Sequence, residues 1–84
     1  MPVYEAFVEV QLRAGIADPQ GATIERALPA LGFPTVGGVR AGKSFRFRVE
    51  AADEVQARGT AEALADRLLA NPVMERFSVG IVPL

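Results

Sequence analysis

The sequence predicts an α+β fold with an antiparallel sheet, and three observations carry that prediction. Ser44-Phe45-Arg46-Phe47-Arg48-Val49-Glu50 alternates polar and apolar residues at every step, the period of a half-buried strand. Two further alternating stretches stand at the beginning and the end of the chain. Between the strands lie two segments whose apolar residues recur at helical spacing. At 84 residues the chain is expected to fold as one domain spanning 1–84.

The first strand is read from Tyr4, Ala6, Val8, Val10 and Leu12, which alternate with Glu5, Phe7, Glu9 and Gln11 to give one apolar and one mixed face. Asp18-Pro19-Gln20-Gly21 then opens a helix. The aspartate caps exposed N–H groups, and proline fits the first position because its missing N–H would have no partner there. Ile24, Leu28 and Leu31 fall on one stripe expected to face the core, Pro29 should bend or loosen the last turn, and Gly32 should end it as a left-handed cap. Pro34 to Arg40 reads as a weak edge strand, and Ala41-Gly42 as the turn into the strong strand. Asp53 should cap a second helix whose seam is Ala57, Ala61, Leu64 and Leu68, and Asn71-Pro72 should stop it. Residues 73–82 alternate again as a final strand. This order of elements is the ferredoxin-like βαββαβ plan: a four-stranded antiparallel sheet, order 4-1-3-2, with both helices on one face. On the open face, Glu5 and Glu9 should lie near Arg46 and Arg48.

Composition narrows the function. There is no cysteine and no histidine, so no disulfide or ordinary zinc site is expected, and the commonest general base is missing. Ser44, Ser78, Thr23, Thr35, Thr60, Tyr4 and Lys43 have no evident base partner, and no catalytic residue is assigned. The formal charge of −1 lacks the basic excess that nucleic acid binding demands. No apolar run approaches the ~20 residues of a membrane span, and Glu5 and Glu9 interrupt the segment where a signal peptide would be continuous, so a cytoplasmic location is expected. An apolar content of 50% in so short a chain suits association with copies of itself or with a partner.

Two motifs invite sharper readings. Gly37 to Ser44 matches the phosphate-loop pattern G-x-x-x-x-G-K-[ST], but that loop must open a helix, and here a strand follows; no cofactor site is assigned to it. Phe45 and Phe47 evoke the aromatic platform of RNA-binding sheets, yet they share a face with Val49 and belong to the core. A free-standing small-molecule-binding regulatory domain of the same fold stands as the alternative.

The chain resembles the PurS family, the small subunit of phosphoribosylformylglycinamidine (FGAM) synthase. The resemblance spans nearly its whole length. It rests on Gly15-Ile16-Ala17-Asp18-Pro19-Gln20-Gly21, on Ala27-Leu28 with Leu31-Gly32-Phe33, on Val39-Arg40-Ala41-Gly42-Lys43, and on Leu68-Leu69-Ala70-Asn71-Pro72-Val73 followed by Glu75 and Phe77. Ala17, where the family usually has leucine, and Pro29 depart from the pattern. The resemblance implies a non-catalytic subunit in purine biosynthesis that joins a PurQ-like glutaminase to a PurL-like, ATP-dependent synthetase and assists ammonia transfer. ATP and magnesium are then expected on the synthetase partner, and a homodimer or dimer of dimers is expected of the chain itself. Candidate partner contacts are Asp18, Pro19, Gln20 and Gly21, the Arg40, Gly42 and Lys43 tip, and Asn71 with Pro72; Phe7, Arg46 and Arg48 are the candidates for self-association.

Overall fold

The structure is a computed structural model describing residues 1–84. Its centre is β1 (Val3–Leu12), flanked by β2 (Gly42–Glu50) and β3 (Glu75–Pro83) in a three-stranded sheet of order β2-β1-β3. Both pairings are antiparallel, with Val8 opposite Phe45 on one side and Val79 on the other. Alternation sets which residues face the core. Ala6, Val8 and Val10 are fully buried, and Phe45, Phe47, Phe77 and Val79 pack around them half-buried.

Helix α2 (Glu54–Leu64) covers that face. Asp53 caps it by accepting from the Gln56 N–H at 2.8 Å, and the Gln56 side chain accepts in turn from Ala52 N–H. Ala57, Ala61 and Ala65 are fully buried, so small side chains let the helix lie close to the sheet. The expected seam fails at its end: Leu68 is 73% exposed while Leu69 turns inward. The cause is local. Residues Ala65–Leu69 widen into a π turn, in which Ala70 N–H reaches Ala65 O at 2.8 Å, and the extra residue rotates everything after it.

Helix α1 (Pro19–Ala27) departs furthest from expectation. Pro29 loosens its end into a 3₁₀ turn (Pro29–Leu31) closed by left-handed Gly32, as its sequence implies. Yet α1 does not pack on the sheet; it projects away as an arm. Ile24 and Leu31, expected in the core, are 45% and 69% exposed, and Leu28 is half-buried. The chain measures 52 × 27 × 14 Å with a radius of gyration of 16.4 Å, against about 12 Å for a compact chain of this length.

The expected fourth strand is also absent. Residues 32–41 return along α1 as irregular chain, with Gly38 at φ 67°. Their donors are claimed by the arm: Val39 N–H donates to the Glu25 carboxylate and Ala41 N–H to that of Asp18, both at 2.8 Å. Held to the arm at these two amides, the segment does not lie along β2 and forms no ladder with it. The sheet therefore has three strands, and β2, expected in the interior, is an edge.

Candidate functional site

Three loops meet where β1 ends. Residues 13–18 leave β1, residues 39–42 enter β2, and residues 70–75 enter β3. Asp18 ties the first two together. One of its oxygens accepts from Gly21 N–H at 3.0 Å, capping α1, and the other accepts from Ala41 N–H. These two bonds, Ala41 first and then Gly21, hold the Asp18 carboxyl below the usual carboxylate range; partial burial opposes them and the nearby Arg40 charge adds to them. Space around the tie is small, because a side chain on Gly21 would meet Asp18 and the Val39 carbonyl. Gly42 opens β2 for a related reason: a Cβ there would lie 2.6 Å from the Val10 carbonyl.

The third loop is held from both sides. Arg13 donates through Nε and Nη2 to the Pro72 carbonyl at 3.2 and 3.0 Å, and its backbone N–H bonds Met74 O. Asn71 makes the turn: its side chain accepts from Val73 N–H, its carbonyl accepts from Met74 and Glu75 N–H, and its own N–H donates to the Glu75 side chain at 2.7 Å. The second Glu75 oxygen pairs with Lys43 Nζ at 3.5 Å across β1. Lys43, the last conserved position of the phosphate-loop pattern before its serine, thus sits in a strand with no helix behind it.

Fold topology brings together nine of the residues singled out by sequence: Asp18, Pro19, Gln20, Gly21, Arg40, Gly42, Lys43, Asn71 and Pro72 all stand at this end. The other three are elsewhere. Phe7, Arg46 and Arg48 lie on the open face of the sheet, where Arg46 pairs with Glu5 at 3.4 Å and stands 5.4 Å from the centre of the Phe7 ring. Glu5 meets the arginines as expected, whereas Glu9 lies between Ser44 and Ser78. Neither hydroxyl hydrogen-bonds to it, and no cluster of carboxylates suited to a metal ion is present. Sequence reasoning passed over Arg13 and Glu25, and took Glu75 only as part of a pattern. The Asn71-to-Glu75 spacing was the one readable hint; Arg13 and Glu25 act over 59 and 14 residues of separation.

The PurS family model, described as phosphoribosylformylglycinamidine (FGAM) synthase, matches residues 5–83. The chain belongs to the PurS family. It is 45% identical over 74 residues to the PurS subunit of Mycobacterium leprae, covering 88% of this chain and 90% of that one. To the PurS subunit of Thermotoga maritima it is 39% identical over 80 residues, 94% of this chain and 96% of the relative. Its fold superposes on a chain of the solved structure of PurLQS from Thermotoga maritima with a TM-score of 0.89 at 35% identity, covering 98% of this chain and 100% of that one. As a PurS chain it is a subunit of FGAM synthase, an enzyme of purine biosynthesis. In this PurS chain Asp18, Gly21, Lys43, Asn71 and Glu75 of the family pattern help to hold the three loops together, and Arg13, outside the pattern, joins them.

Proposed function

We propose that this subunit is a non-catalytic bridge that holds a glutaminase subunit against an ATP-dependent synthetase subunit and assists the passage of ammonia between them. The observation that carries the reading is how the gathered end of the sheet uses its polar groups. Asp18, Glu75, Asn71 and Arg13 are engaged in fixing loops, and Lys43 is held in an ion pair by the same Glu75, so these groups serve to shape a surface. The PurLQS likeness of the Thermotoga maritima chain agrees with such a role. Mixing purified subunits tests it. Glutamine-dependent turnover should need this chain, while turnover driven by added ammonium should persist without it; equal glutamine-dependent rates with and without the chain would end the proposal.

ATP and magnesium belong, on this reading, to the synthetase partner, and the complex works in the cytoplasm; no helix of the chain is long and apolar enough to cross a membrane. Lys43→Ala should accordingly leave the nucleotide affinity of the assembled complex unchanged in a titration, and a large loss would return the phosphate-loop pattern to consideration. The occupant of the exposed arm is a second copy of this chain. Ile24, Leu31, Phe33 and Val36 stand on the arm, and Phe45, Phe47 and Phe77 stand half-covered on the sheet, so one chain carries both halves of an apolar contact that it does not close by itself. Reciprocal docking of two arms on two sheets closes it twice.

A further inference from the structure

At the gathered end the Asp18 and Glu75 carboxylates are engaged, whereas two guanidinium groups, those of Arg40 and Arg76, have no carboxylate partner. Both oxygens of Asp18 accept backbone N–H groups, and those of Glu75 take the Asn71 N–H and Lys43. Arg13, Arg40 and Arg76 stand around the same end, and none forms an ion pair. Arg13 spends its guanidinium on the Pro72 carbonyl, Arg40 makes one long bond of 3.4 Å to the Leu12 carbonyl, and the Arg76 side chain makes no hydrogen bond. Arg40 and Arg76 line one shallow cleft beside the Ala14-Gly15 turn. Glu9 shares a neighbouring cleft with Arg76 without pairing with it, and the Glu50, Asp53 and Glu54 carboxylates lie at the far end of the sheet.

Resting on the bridging role proposed above, we infer that the Arg40–Arg76 cleft receives carboxylate side chains from an acidic surface of another subunit of the synthase. Unpaired guanidinium groups lining a common cleft suit planar carboxylates, which they bind through paired hydrogen bonds. Two other occupants fit less well. The acidic end of a second copy would have to make a separate head-to-tail contact, building a ring or a filament, because the arm and the Phe45 and Phe77 patch of the reciprocal dimer both lie at the basic end. A phosphate would be expected to use helix N–H groups, but at the start of α1 the Gly21 N–H is already taken by the Asp18 carboxylate.

The test uses the full chain with the purified synthetase and glutaminase. Arg40→Glu/Arg76→Glu should weaken assembly at least tenfold by sedimentation and flatten its dependence on salt, while Arg40→Lys/Arg76→Lys, which keeps the charge and loses the paired hydrogen bonds, should weaken it measurably but less than the reversal. Circular dichroism of the charge-reversed chain should show an unchanged spectrum and melting point. Wild-type assembly affinity in that variant would overturn the inference, and would leave the bridging role standing wherever the wild-type chain is still needed for glutamine-dependent turnover. A shift in the self-association of the isolated variant would overturn it in favour of a second copy. Titration of the isolated chain with inorganic phosphate and with adenosine monophosphate should show no saturable binding; binding that the double reversal abolishes would overturn it in favour of a phosphate ligand.

Discussion

Gly21→Ala is expected to detach the arm from the rest of the chain. The added methyl would sit against the Asp18 carboxylate and 2.8 Å from the Val39 carbonyl, a backbone atom that can move only by dragging the 39–41 segment with it. Overpacking of this kind costs about 1–3 kcal/mol, and a domain of this size loses about 4–8 °C of melting temperature per kcal/mol. The bonds from Gly21 and Ala41 to Asp18 should weaken together, since one carboxylate accepts both. Their pH dependence gives an independent reading. Because the Asp18 carboxyl is held below its ordinary range in the folded chain, its contribution is present at neutral pH and disappears as pH falls through the folded value. Thermal melts should therefore separate wild type from Asp18→Asn at pH 7 and bring them together in acid. A Gly21→Ala chain that melts with wild type would show that the tie yields without cost.

How far the sequence discloses this fold depends on whether the deciding contacts are local. The three strands of the sheet follow from alternation, and both helix starts follow from Asp18-Pro19 and Asp53, whose side chains bond amides three residues ahead. Residues 34–40 were expected to form an edge strand and do not, for a physical reason. Pro34, Gly37 and Gly38 suit an edge strand and an irregular return equally, and the choice was made by the Glu25 and Asp18 carboxylates, 14 and 23 residues away from the amides they receive. The π turn escaped notice because a regular helix and one with an inserted residue share the same apolar spacing up to Leu64. The Ile24, Leu28 and Leu31 stripe was expected to face the core and does not, because periodicity marks an apolar face but carries no information about which chain buries it. The candidate site was legible as a set of residues through family resemblance. That they share one surface required the topology, which brings the end of β1, the start of β2 and the start of β3 side by side.

Leu31→Glu/Phe33→Glu is expected to convert the chain to a monomer and to remove glutamine-dependent turnover with it. In the isolated chain both side chains face solvent, so the substitutions should leave monomer stability within about 0.5 kcal/mol. In a two-fold dimer each residue acts twice, and every apolar side chain of this size contributes about 1.5–3 kcal/mol when fully buried. Two charges brought into that contact without partners would cost more than the contact supplies. Sedimentation reads the result directly, and an unchanged oligomer would remove the arm from the interface. The open face of the sheet provides the contrast. Arg46 is already engaged by Glu5 and the Phe7 ring, and Arg48 lies beside them, so Arg46→Glu disturbs a polar face that α2 and the arm leave uncovered. If arms make dimers and open faces pair those dimers, Arg46→Glu should stop assembly at the dimer whereas the arm variant stops it at the monomer. Identical products from the two variants would mean that one surface does both jobs, and the division of labour between arm and sheet would have to be abandoned.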